Sequence, residues 1–287
     1  MRSLPLILLF LASNFTVPQV LAGTKGVPLG DDHPLRSSAV NLQLVIDGKD
    51  LHCSGTVVSS KFILTAGHCL EKSTSIKISF EANKDAAREV VGKHFFTDQE
   101  KDRIKTDYRK NYSDKVFLER RAMDIGLLEF SGGLPEHVGP LSLAGDALPN
   151  IGTELTVISA GPPRLGIFMS HKYEVRDSEM FYRRMLFDTD AESVNYAQAV
   201  KENILIIGSV DRSSVLSGDS GSPVLLEDRQ THEFKIVGVL TATTLVNDFS
   251  ALVSPLAGKI LLSLSDEKNF DVVNLLNEIK NSGAAGH

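Results

Sequence analysis

Ser220 stands in the run Ser217-Gly218-Asp219-Ser220-Gly221-Ser222-Pro223, just ahead of the apolar stretch Val224-Leu225-Leu226. The flanking glycines permit backbone angles and a close approach that a side chain would forbid. Such a turn can present a hydroxyl together with converging backbone N–H groups, which is what acyl transfer needs. Small polar residues also fill ordinary turns, so the heptapeptide alone is equally a plain turn. A serine hydroxyl is a poor nucleophile until a base takes its proton, and histidine is the usual base because its pKa lies near neutrality. A buried carboxylate then fixes the imidazole tautomer and steadies the imidazolium. Of the eight histidines, seven keep no special company, whereas His68 ends a strand-like segment beside Cys69. Asp124 sits near the start of an apolar run, where a charge must be paired, hydrogen-bonded or exposed. The three residues lie far apart in the chain, and sequence physics alone does not bring them together.

The elements that must position them read as short strands. Val40-Asn41-Leu42-Gln43-Leu44-Val45-Ile46 alternates, and Asp47-Gly48 signals a hairpin turn. Further strands are expected at 51–58, from Phe62 to the Thr65-Ala66-Gly67-His68-Cys69 motif, at 76–80, 122–130, 155–159, 204–207 and 234–240. Strands this short and regularly spaced suggest an all-β barrel or sandwich rather than βαβ units. Residues 93–121, with the Glu119-Arg120-Arg121 cluster, read as a solvated face. Residues 131–152 are rich in Gly and Pro and suit a connection between two halves. Segment 173–203 is polar with scattered aromatics and shows no clear order. Phe270, Val273, Leu275, Leu276 and Ile279 follow a helical period, with Gly283 as a stop.

The 287 residues, 42% of them hydrophobic, can bury a core of one large domain or two small ones. A formal charge of −6 and the lack of a basic stripe argue against a nucleic-acid partner. Arg2, an apolar run over residues 4–12 and Val20-Leu21-Ala22 read as a signal peptide over residues 1–22, too short for a membrane span. The expected protein is therefore secreted, extracellular or periplasmic. In an exported chain, Cys53 and Cys69 favour a disulfide over two free thiols. Two cysteines cannot make a four-ligand zinc site, and no histidine pair shows i, i+4 spacing, so no metal or other cofactor is expected. The acidic loop of Glu81, Asp85 and Glu89 reads as solvated rather than as a calcium site, and Asn111-Tyr112-Ser113 fits a glycosylation acceptor.

Thr65-Ala66-Gly67-His68-Cys69, Asp124-Ile125-Gly126-Leu127-Leu128 and Gly218-Asp219-Ser220-Gly221-Ser222-Pro223 resemble, in order, the three signature motifs of chymotrypsin-like (trypsin-family) serine proteases. Cys53-Ser54-Gly55 resembles the partner half-cystine, and Ile236-Val237-Gly238-Val239-Leu240-Thr241 resembles the cleft-lining strand. The resemblance covers roughly residues 23 to 280. It implies an all-β fold of two packed antiparallel six-stranded Greek-key β-barrels with a C-terminal α-helix. The barrels would span about 37–130 and 153–262, joined by 131–152, with the helix over about 266–281. It also implies catalytic His68, Asp124 and Ser220, with the N–H groups of Gly218 and Ser220 as the oxyanion hole. Protein or peptide substrates and a monomer are expected.

Departures from the family pattern bear on specificity and activation. Ser214, six residues before Ser220, is neutral and implies an apolar or aromatic preference; Asp248 on the pocket's far wall would instead favour Lys or Arg. Thr241-Ala242-Thr243 replaces the usual Ser-Trp-Gly, Leu216 stands where a cysteine is usual, and Ser222 replaces a glycine. Family zymogens are cut before Ile-Val-Gly-Gly so that the new ammonium pairs with the aspartate before the nucleophile, here Asp219. No such tetrapeptide occurs; Gly23, exposed by signal removal, would supply that ammonium, with a cut after Arg36 as the alternative. The resulting expectation is a secreted serine endopeptidase. Its rival is a catalytically silent homologue that binds a partner through the cleft. An esterase would be expected to use a Gly-x-Ser-x-Gly elbow on an α/β fold, which the strand spacing opposes.

Overall fold

A computed structural model describes residues 26–80, 88–102, 121–160, 168–177, 200–211, 215–216, 218–243, 250–264 and 270–284. The first barrel-like sheet contains β2 (Ala39–Ile46), β3 (Lys49–Val57), β4 (Phe62–Thr65), β5 (Ser73–Ser79), β6 (Val90–Phe95) and β7 (Gly126–Phe130), in the order β5-β2-β3-β4-β7-β6. A single bridge between Ile78 and Arg88 brings its two edges together and nearly closes it. Val40, Leu42 and Leu44 point into the core while Asn41 and Gln43 are half-buried, as the alternation predicts. Asp47 and Gly48 both adopt positive φ, 50° and 72°, and pair Ile46 with Lys49 across a two-residue hairpin.

The second barrel is closed. β9 (Glu154–Ser159), β10 (Met169–Val175), β11 (Leu205–Ser209), β14 (Ser250–Pro255), β13 (Phe234–Thr243) and β12 (Pro223–Glu227) pair in a ring, since β10 also pairs β9 and β12 pairs β9. Two short strands extend it: β1 (Val27–Pro28) on β10, and β8 (Ser142–Leu143) running parallel to β13. The 131–152 connection thus contributes a strand, and the polar segment from 173 onward begins with the end of β10. The expected two six-stranded antiparallel barrels are present.

Helices also pack on the sheets, among them the short 3-10 turn Pro34–Ser38, α1 (Gly67–Glu71), α2 (Lys259–Ser263) and α3 (Asp271–Ala284). The last starts later than expected and runs through Gly283 instead of stopping there. Phe270, Val272, Val273, Leu276 and Ile279 are buried against the core, and the Phe96 and Phe270 rings pack 5.8 Å apart. No helix among the described residues is long and apolar enough to cross a membrane. The proposed signal segment, the acidic positions Glu81 and Asp85, and Asn111 lie outside the described residues.

Candidate active site

Register brings the first two residues together. β4 and β7 are antiparallel with Thr65 opposite Gly126, so residues just after β4 and just before β7 emerge at one end of the barrel. His68 is carried there on α1, one short helix past the strand end where the sequence places it. Asp124 Oδ1 accepts the His68 backbone N–H at 2.7 Å, and Oδ2 lies 2.7 Å from His68 Nδ1. An ionised carboxylate only accepts, so the Nδ1–H donates and Nε2 is left as the basic nitrogen. Asp124 is buried, whereas the His68 side chain is 42% exposed. Gly67 makes the approach possible: a Cβ there would meet Ile125 O at 3.1 Å.

Ser220 arrives from the second barrel, and its backbone is stitched to the first. Ser54 N–H donates to Ser220 O at 2.8 Å, while Gly221 N–H donates to Leu240 O at 2.7 Å and Leu240 N–H to Ser222 O at 2.9 Å. Gly221 has φ +88°, and a Cβ there would collide with Ser54 O and Thr65 Oγ1. Gly218 has φ +105°. Among the described residues no acceptor takes the N–H of Gly218 or Ser220. Among them, too, no hydrogen bond joins His68 Nε2 to Ser220 Oγ; Nε2 lies 3.8 Å from Cys69 Sγ. The Cys53–Cys69 disulfide is formed, tying β3 to α1. The close grouping of Cys53, His68 and Cys69 is therefore no metal site, because both thiols are consumed.

Sequence reasoning missed Arg121, which it assigned to a solvated face. Its Nη1 lies 3.4 Å from Asp124 Oδ2 and donates to Thr241 O at 3.0 Å. Ser254 Oγ also donates to Arg121 O, so this residue links the two barrels at the cleft. A cation three residues before the aspartate was the only signal, and it could not reveal the carbonyl partner.

Asp219 is buried directly before Ser220, and its Oδ2 accepts the Leu216 N–H at 2.6 Å. Burial pushes its carboxyl up to about 6, against hydrogen bonds from Leu216 and Ser159 that pull it down. Thr241 Oγ1 donates to Leu252 O at 3.3 Å. Thr243 belongs to β13 opposite Ala251, and Ser222 is fully buried with its Oγ unpartnered. Ser214 and Asp248 lie outside the described residues.

The family model for Trypsin matches residues 30–250, most of the chain. The chain belongs to the trypsin family. Among curated trypsin-family relatives, chymase from Cavia porcellus is 27% identical over 227 residues, covering 78% of this chain and 83% of its own. The scabies mite inactivated protease paralogue S-I1 is similar in fold, with a TM-score of 0.57 at 19% identity, covering 83% of this chain and 96% of that one. HL collagenase gives a TM-score of 0.58 at 16% identity, covering 91% and 98%. These structures establish the trypsin-family fold and no more.

Proposed function

We propose that this trypsin-family protein binds protein or peptide segments in its cleft and is catalytically silent in the conformation described. One observation carries the reading: among the described residues Ser220 Oγ makes no hydrogen bond to His68 Nε2, the base that would take its proton. Arg121 adds to it by sharing Asp124 Oδ2 with the imidazole. A protein of similar fold is itself an inactivated protease, so this architecture persists without turnover.

The second reading, a secreted serine endopeptidase, is favoured by the 2.7 Å His68–Asp124 pair and by the N–H groups of Gly218 and Ser220, which no described residue accepts from. Apo catalytic hydrogen bonds are often long and tighten only with substrate. In that case Ser220 Oγ attacks the peptide carbonyl, and His68 Nε2 takes its proton and passes it to the leaving amine. Asp124 orients the ring, and the two N–H groups hold the oxyanion. Water then repeats the attack on the acyl-enzyme. Ser214 or Asp248 would set the primary specificity, and residues 1–22 would be removed on export, for which the disulfide is the support.

The chain starting at Gly23 and its Ser220→Ala variant, treated with a fluorophosphonate and with a peptide library, test both. The silent reading expects no label and no cleavage, with peptides binding both proteins alike. Label and hydrolysis in the parent chain, both lost in the variant, would overturn it in favour of the endopeptidase. Cuts after Phe, Tyr or Leu would then credit Ser214, and cuts after Lys or Arg would credit Asp248.

A further inference from the structure

Ser54, next to the disulfide on β3, is 1% exposed and has each of its polar groups engaged. Its N–H donates to Ser220 O at 2.8 Å, and its carbonyl accepts the hydroxyl of Thr65, itself fully buried, at 2.7 Å. The side chain reaches two further places. Ser54 Oγ accepts the Ala160 N–H at 2.9 Å, just past the end of β9. A hydroxyl has a single proton to give, and this one goes to Gly218 O over a longer 3.4 Å. One first-barrel residue therefore holds the carbonyls of both Gly218 and Ser220. Between those two carbonyls lies the peptide that carries the Ser220 N–H. Its own carbonyl, Asp219 O, accepts the Ser222 N–H at 3.0 Å. No described peptide bond is cis, so the Ser220 N–H is directed opposite to Asp219 O. Every carbonyl from 218 to 220 thus has a donor, two of the three supplied by Ser54, while no described residue accepts from the N–H of Gly218 or Ser220.

We propose that Ser54 is the positioning residue of the 218–222 turn: its hydroxyl, given to Gly218 O and anchored by the Ala160 N–H, keeps the Gly218 and Ser220 N–H groups available to a carbonyl oxygen of a bound peptide segment. The inference rests on reading the cleft as a peptide-binding one, and it holds whether that oxygen is only bound or also becomes an oxyanion. Ser54 belongs to the first barrel and the turn to the second, so the donor pair is complete only with the two barrels docked. Ser54 is itself held by Thr65, three residues ahead of His68. The segment that carries the candidate base and the turn that carries the candidate nucleophile thus share one buried anchor. Removing the hydroxyl alone would leave Gly218 O and the Ala160 N–H without a partner, while the backbone bond from Ser54 to Ser220 could persist.

Amide-resolved hydrogen exchange in the parent chain, Ser54→Ala and Ser54→Thr tests it. The reporters are the N–H groups of Asp219, Gly221 and Ser222, which donate to Leu216 O, Leu240 O and Asp219 O, together with that of Ala160. Ser54→Ala should speed exchange at all four about tenfold or more, with β5 and β11 unchanged. Thr keeps the hydroxyl and should restore most of the protection. Unchanged exchange at Asp219, Gly221 and Ser222 in Ser54→Ala, acceleration spread over β5 and β11, or a Thr variant of parental thermal midpoint that exchanges like Ala would each overturn it. Fluorophosphonate labelling and peptide binding of the parent chain report on the preceding reading, so the two fail separately.

Discussion

Arg121 Nη1 lies 3.4 Å from Asp124 Oδ2, the oxygen that also takes the His68 Nδ1–H at 2.7 Å. One carboxylate oxygen thus serves two donors, one of them a permanent cation reaching across to Thr241 O in the other barrel. A cation there diminishes what Asp124 can do for an imidazolium, because the two positive charges compete for the same field.

Arg121→Gln should therefore leave Asp124 Oδ2 to the imidazole alone. Where Ser220 reacts with a fluorophosphonate at all, the variant should be labelled faster than the parent chain, by no more than about tenfold because the Arg is partly exposed and screened. Labelling that is unchanged or slower contradicts competition at Oδ2.

Asp219→Asn concerns stability. Its carboxyl is raised from 3.8 to about 6 by burial, so the folded state holds the proton more tightly than the unfolded one. Stability contributed by the neutral form is present below about pH 4 and is lost as pH rises through about 6. The Asn variant avoids that loss and keeps an acceptor for Leu216. Urea unfolding should show it more stable by up to about 3 kcal/mol at neutral pH and little changed near pH 4. Equal gains at both pH values would mean the charge is not the cause.

Replacing both Cys53 and Cys69 by Ala removes a link across 16 residues. The chain-entropy cost is about 3 kcal/mol, and both sites are buried, so packing loss adds to it. Denaturant titration should lose about 3–5 kcal/mol.

Gly221→Ala should be among the most damaging single substitutions. It combines a positive φ with a Cβ driven into Ser54 O and Thr65 Oγ1, in the contact that stitches the barrels. Reduced soluble yield or a thermal midpoint lower by many degrees is expected, whereas Gly48→Ala meets open space and pays only for φ +72°.

Much was legible along the chain because it depended on neighbours. Alternation marked β2, Asp47-Gly48 marked its turn, and a helical period marked α3, since burial on one face writes its own repeat. Boundaries were less readable: His68 sits on a helix rather than a strand end, and Gly283 does not stop α3, because packing outweighs single-residue propensity. The sequence by itself determined which residue types were present to do chemistry, and that they fall in a trypsin-family order. Only the tertiary structure decided their company. His68 meets Asp124 through the pairing of Thr65 with Gly126; Arg121, taken for a solvated charge, finds a carbonyl 120 residues away; Ser159 of β9 meets His171 of β10 in the buried interior. Such contacts follow from barrel closure, which is set by the register of every strand at once, and no local window of sequence contains that sum.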